Sequence, residues 1–248
     1  MNKRTQWIGI GFGILILAVM SCVPAEEKVQ APFDVRLNLP SIRKVYNLQN
    51  KQDRDSLVMM LKSDDPSNRF AAARAFASFR DSTILPALLP LLADPQQQIR
   101  AMAAYAIGQI GSSRAESQLS AAFDGRDSAR LYQSANGYIL EAMGKIGSAQ
   151  YLNALSTISN YLPTDTLLLL GQVRGIYRYA LRNMTDPDGT ALMVRYLSDA
   201  AIPISVRVIA ANYLHRAQGI DLTSYTDQLI ADWHGEPNPY LRICLASA

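Results

Sequence analysis

The chain has 248 residues, of which 49% are apolar, and 24 basic residues stand against 21 acidic ones for a formal net charge of +3. That length allows one elongated or two compact domains. So small a surplus argues against a nucleic-acid surface, and no basic stripe with interleaved aromatics is evident along the sequence.

Lys3 and Arg4 precede an apolar run over residues 7–20. The run is shorter than the roughly 20 residues that cross a bilayer, and the pattern is that of a signal peptide over residues 1–21. Its "GIGFG" lies inside that signal, with no strand before it and no helix start after it, so it is not a phosphate loop. The run closes on Val19-Met20-Ser21-Cys22, which resembles the bacterial lipobox. The resemblance implies a lipid on Cys22 and anchoring to a membrane. Val23, rather than Asp, follows the cysteine, which resembles default sorting to the outer membrane. The expected address is therefore an outer-membrane lipoprotein on the periplasmic side. Glu26-Glu27-Lys28 faintly resembles acidic surface-export motifs and leaves the cell surface as the alternative. Losing Lys3 and Arg4 with the signal leaves a nearly neutral chain. With Cys22 lipidated, Cys244 has no intrachain partner, so the fold relies on its core. Residues 22–40 are polar and proline-bounded, a tether without periodicity. A capping segment is expected over 41–52, ahead of a repeat region over 53–248.

The repeat region carries apolar residues at helical spacing over 53–62, 82–93, 115–123, 149–161, 189–198 and 222–233. Each stretch is followed by a turn and a second helix. Turns are marked by Asp65-Pro66, Asp94-Pro95, Asp186-Pro187 and Asn238-Pro239. Pro90 is expected to bend the first helix that contains it. The second helices repeat a pattern. Ile99-Arg100-x-x-Ala103-Ala104-x-Ala106-Ile107-Gly108 aligns with Asn68-Arg69-x-x-Ala72-Ala73-x-Ala75-Phe76-Ala77. The basic position then falls at Arg69, Arg100, Asn136, Arg174, Arg207 and Arg242, in steps of 31, 36, 38, 33 and 35 residues. "AIGQIG" at 106–111 and "AMGKIG" at 142–147 are the same ending written twice. Its small residues are a packing rule that lets neighbouring helices approach, and Gly111 and Gly147 are expected to be left-handed caps. One helix pair cannot bury its apolar faces alone, whereas stacked pairs can.

The Val/Ile-Arg start, the Ala-Ala pair and the Gly-x-Ile-Gly ending resemble HEAT repeats of the short bacterial class. The resemblance implies an all-α, right-handed α-solenoid of about six helix pairs. It also implies that the repeated arginines, Arg69, Arg100, Arg174, Arg207 and Arg242, pair with turn acids of neighbouring units. The second helices are then expected to line a concave face. Their outward positions are Arg74, Tyr105, Gln109, Tyr138, Glu141, Lys145, Tyr179, Asn183, Asn212 and Arg216, either an ordinary solvated face or a Tyr, Arg and amide surface of the kind that binds proteins.

No Gly-x-Ser-x-Gly elbow, paired-cysteine motif or His-Glu-x-x-His is present. Asp232, His234 and Glu236 in "DWHGE" read as turn residues, because zinc wants three or four nitrogen or sulfur ligands. His215 reads as the exposed end of a second helix, and Cys244 as a small core residue. Asn183-Met184-Thr185 fits a glycosylation sequon that means little beside a bacterial lipobox. No catalytic residue, cofactor, metal or small-molecule substrate is expected. The expected function is a non-enzymatic scaffold, held to the envelope by lipid, with a protein partner on the concave face.

An alternative comes from the run over residues 42–82. It is similar to bacterial HEAT-repeat lipoproteins that often carry a cyclophilin-type prolyl isomerase domain after the repeats. The last pair breaks off at "PYLRICLASA", so on that reading the chain is the recruiting half of an envelope isomerase whose catalytic domain lies beyond residue 248.

Overall fold

The computed structural model describes residues 33–127 and 131–247. The expected signal peptide, the lipidation residue Cys22 and the tether through residue 32 lie outside the described residues. Among the described residues there are thirteen α-helices and no strand, so the fold is all-α.

The first helix, α1 (Pro40–Asn50), lies against α2 (Arg54–Met60) and α3 (Pro66–Phe76), burying Ile42 and Val45. Five more pairs follow: α4 (Leu85–Leu88) with α5 (Gln97–Ile110), α6 (Glu116–Ala122) with α7 (Gln133–Ile146), α8 (Ala149–Thr157) with α9 (Thr166–Ala180), α10 (Pro187–Ser198) with α11 (Ile204–Arg216), and α12 (Thr226–Gly235) with α13 (Pro239–Ala246). The second helices α3, α5, α7, α9, α11 and α13 pack each on the next to form one layer. The first helices form the other, with α8 on α10 and α10 on α12. This is an α-solenoid of six pairs that follow α1.

Local chemistry sets the boundaries. Asp65-Pro66, Asp186-Pro187 and Asn238-Pro239 each work as a pair of signals: the side chain caps the free N–H groups, and proline occupies a first-turn position that needs no donor, whereas Asp94-Pro95 precedes the Gln96 N-cap of α5. Asp65 accepts from the Ser67 N–H at 2.8 Å, Asp186 from the Gly189 N–H, and Asn238 from the Tyr240 and Leu241 N–H groups. Pro90 acts as expected. From Leu89 to Ala93 the chain tightens into 3-10 geometry, because the missing donor interrupts the α ladder. The helix expected over 149–161 stops earlier, at Thr157. The Ser156 and Thr157 hydroxyls take the carbonyls of Leu152 and Asn153, side-chain bonds that compete with helix continuation.

The repeated small residues bring the second helices together. A Cβ built on Gly144 would lie 2.2 Å from the Gly175 carbonyl oxygen, and one on Gly171 would lie 2.3 Å from that of Gly137. At Gly108 a Cβ would meet that of Ala142 at 2.8 Å. The backbones of α5, α7 and α9 therefore approach to contact. Gly111 is a left-handed cap, with φ 75°. Gly147 is not. Its backbone is extended, φ −69° and ψ 154°, and its glycine identity serves space, since a Cβ would sit 2.1 Å from the Tyr179 hydroxyl.

Candidate functional site

The inner side of the second-helix layer is a ladder of polar side chains that tie each helix to the turn before it. Arg69 donates to the carbonyls of Ser63 and Asp64 at 2.9 and 3.1 Å and pairs with the next turn's Asp94 at 2.7 Å. Arg100 donates to the carbonyls of Asp94 and Pro95 and reaches Leu131 of the next unit at 2.7 Å, with its guanidinium 4.2 Å from the Tyr132 ring centre. The shorter Asn136 exchanges two hydrogen bonds with the Asp124 backbone. Arg207 donates to the Leu197 carbonyl and pairs with Glu236. Such bonds satisfy main-chain acceptors that the turns would otherwise leave bare.

Two expected members of the ladder stand elsewhere. At the fourth rung the inward residue is Gln172, fully buried, not Arg174. Its amide donates to the carbonyls of Leu155 and Ile158, both at 2.8 Å, and accepts from the Tyr196 hydroxyl at 2.9 Å. Arg174, two residues on, points away from the turn toward Glu141 of α7. With Gln172 in place the spacing becomes 31, 36, 36, 35 and 35 residues, more regular than the arginines alone produce. Arg242 is exposed and makes no acid pair among the described residues. Its guanidinium stands 5.9 Å from the Trp233 ring centre.

The outward side carries most of the expected surface. Arg74 and Arg216 are exposed, and Tyr105, Gln109, Tyr138, Lys145 and Asn212 are half-buried. Tyr105 and Tyr138 meet edge to face at 5.8 Å, joining α5 to α7, and Lys145 lies 5.6 Å from the Tyr105 ring centre. Asn212 accepts from the Tyr240 hydroxyl at 3.1 Å, joining α11 to α13.

Three expected surface residues are placed differently. Tyr179 is 0% exposed and its hydroxyl donates to the Ser148 carbonyl. Burial pushes its phenol well above the ordinary range, so it stays neutral. Glu141 is buried rather than presented, and it gathers Lys145 at 3.0 Å, Arg174 at 3.5 Å and Arg178 at 3.8 Å. Asn183 lies past the end of α9 in a left-handed turn, φ 58°. Asparagine tolerates that conformation better than most residues. Tyr179 and Asn183 follow from the register of α9, which Gln172 rather than Arg174 sets, and Glu141 follows from the glycine contacts that bring α7 and α9 closer than ordinary helix faces.

Sequence reasoning missed Arg178, Arg182 and Gln172. Arg178 follows Arg174 by four residues and so shares its face. Arg182 donates to the Gly144 carbonyl at 3.1 Å and covers the Tyr179 ring at 5.2 Å. The balanced total charge also hid a segregation. The six second helices carry nine Arg or Lys residues and one acid, Glu141. Their six partners carry two basic residues and five acids. A basic layer with interleaved tyrosines therefore exists that is not evident along the sequence.

The residues of "DWHGE", expected in a turn, lie in the last turn of α12 except Glu236, which follows it. Asp232 accepts from the Ser198 hydroxyl, Glu236 pairs with Arg207, and His234 meets the Trp233 ring edge to face. No cluster of metal-ligating side chains occurs among the described residues. His215 is exposed, and Cys244 is buried in the last pair.

Residues 55–138 match the sequence model for HEAT repeats. Over those residues the helix pairs are HEAT-like. The match runs from α2 into the first half of α7, and the later pairs continue the same stack. No curated protein matches the chain.

Proposed function

We propose that this chain is a non-enzymatic scaffold that holds a protein partner on its second-helix face. HEAT-like repeats fit a role in protein interaction, and one observation carries the reading further. The face joins Tyr105, Tyr138, Lys145, Arg174 and Arg178 from three successive helices into one surface. Tyrosine and arginine dominate the energetics of protein interfaces because each combines large contact area with directed hydrogen bonding. Helices that touch through glycine in one layer, with side-chain packing in the other, favour curvature toward the second-helix side, which supports a concave binding face. A rigid ladder behind the surface lowers the ordering cost of binding.

The test is site-specific photo-crosslinking in the source cells. A benzophenone amino acid at Tyr138 or Tyr105 is expected to label one discrete protein. The same group at Met59, exposed on α2, is expected to label none. Equal labelling from both faces, or none from either, overturns the reading.

A lipid on Cys22 would hold this scaffold to the bacterial outer membrane on the periplasmic side. The lipobox resemblance supports that address, and loss of palmitate labelling and of membrane fractionation in Cys22→Ala tests it. The run over 42–82 favours one elaboration, in which the repeats recruit clients for a prolyl isomerase domain encoded beyond residue 248. The reading frame past that codon decides it.

A further inference from the structure

Resting on the scaffold reading, we infer that the partner presents an acidic peptide segment, bound at Arg174 and Arg178 with Tyr105 and Tyr138 beside them. The electrostatics of the patch point there. Glu141 is a single buried carboxylate, yet Lys145, Arg174 and Arg178 all converge on it. A structural ion pair needs one cation. Three cations on one anion leave a surplus of two positive charges, and like charges at i and i+4, as at Arg174 and Arg178, repel.

The guanidiniums also have unspent capacity. Their side chains are 43% and 44% exposed, and each meets Glu141 only at ion-pair distance, 3.5 and 3.8 Å. Neither makes a hydrogen bond among the described residues. Each guanidinium offers five N–H donors in a fork that matches a carboxylate. Glu141 orients both forks from below while their remaining donors face outward.

The edge-to-face tyrosine pair extends the site along α5 and α7. Tyrosine supplies apolar area and a hydroxyl that can donate to a peptide carbonyl or carboxylate. The acids of the other layer repel the same ligand, so charge alone selects the face. A carboxylate peptide fits better than a run of phosphates. The exposed cations form a compact pair above a fixed anion rather than a stripe along a groove, and the buried Glu141 charge penalises a dianionic phosphate more than a monoanionic carboxylate.

The experiment uses the full chain and a fluorescein-labelled oligoglutamate peptide, read by polarisation. Saturable binding is expected, weakening as salt rises. Arg174→Glu with Arg178→Glu is expected to weaken it by at least about tenfold and to bind oligolysine instead. Because that variant sets two new acids beside the buried Glu141, Arg174→Gln/Arg178→Gln is the partner variant. It removes both arginine charges and leaves Glu141 paired with Lys145, and its circular dichroism is expected to match the parent. Oligoglutamate binding unchanged in both variants overturns the inference. So does tighter arginine-dependent binding of single-stranded RNA or of phosphatidylglycerol vesicles than of the peptide. A partner crosslinked from Tyr138 whose docking segment is not acidic overturns this inference and leaves the scaffold reading standing.

Discussion

Between α7 and α9 the two backbones touch, through Gly144 on Gly175 and Gly137 on Gly171. Between α11 and α13 no glycine is present in either helix, and side chains make the contact instead, the Tyr240 hydroxyl donating to Asn212 at 3.1 Å. The same architectural step is thus made by backbone contact in the middle and by side chains at the end. A backbone contact cannot yield, whereas a side chain can change rotamer. The middle of the stack should therefore be intolerant of added bulk and the end permissive. The tyrosine and arginine patch sits on the intolerant part, where its geometry is held best.

The largest effect tests that rigidity directly. Gly144→Val places a Cβ where the Gly175 carbonyl already stands, 2.2 Å away. Only separation of the helices relieves the overlap, so the loss should exceed about 4 kcal/mol, seen in urea unfolding as the loss of cooperative folding of the centre. If the variant unfolds with the parent's midpoint, the seam is more elastic than the contact implies.

Next comes the ladder. Arg69→Met removes the partner of Asp94, whose side chain is only 4% exposed. An uncompensated buried carboxylate costs about 3–5 kcal/mol, somewhat offset here because Asp94 keeps the Gln96 N–H at 2.9 Å. Smaller again is the contrast between Gln172 and Arg174. Gln172→Leu strands two carbonyls and the Tyr196 hydroxyl and should cost about 1–3 kcal/mol for each group left buried without a partner. Arg174→Gln loses one long, exposed ion pair and should cost no more than about 1 kcal/mol. The two variants compared by thermal melting decide which residue is the fourth rung.

That rung shows what was legible in the sequence. Helix pairs, their turns and their stacking were, because apolar spacing and Asp-Pro signals are local. The register of α9 was not. Val173-Arg174 imitates Ile99-Arg100 by identity, yet the rung needs only a long donor side chain at the right height, and Gln172 meets that need. The role of Gly147 is hidden in the sequence for a related reason. A glycine after a helix is expected to serve φ, and only the Tyr179 hydroxyl, from a helix further along the chain, reveals that it serves space. The outward surface was legible residue by residue at Tyr105, Tyr138 and Lys145. Its charge was not, because nine cations spread over six helices become one layer only after stacking.

The smallest effect uses the same residue type at the other end of the comparison. Gly235 closes α12, and a Cβ there meets nothing within 4 Å. Its φ is not among the positive values, so alanine fits the backbone without strain. Alanine also narrows the unfolded ensemble, which stabilises a compatible site by about 0.4–1 kcal/mol. Gly235→Ala should therefore raise the midpoint slightly, whereas the Gly144 substitution abolishes it. Glycine-to-alanine at both positions, measured in one denaturation series, separates two uses of glycine. At Gly144 the missing Cβ makes room for a neighbouring backbone, and at Gly235 it only adds freedom to the unfolded chain. A loss at Gly235 comparable to that at Gly144 would mean that the last pair is packed as closely as the centre, and the contrast between the two seams would fall.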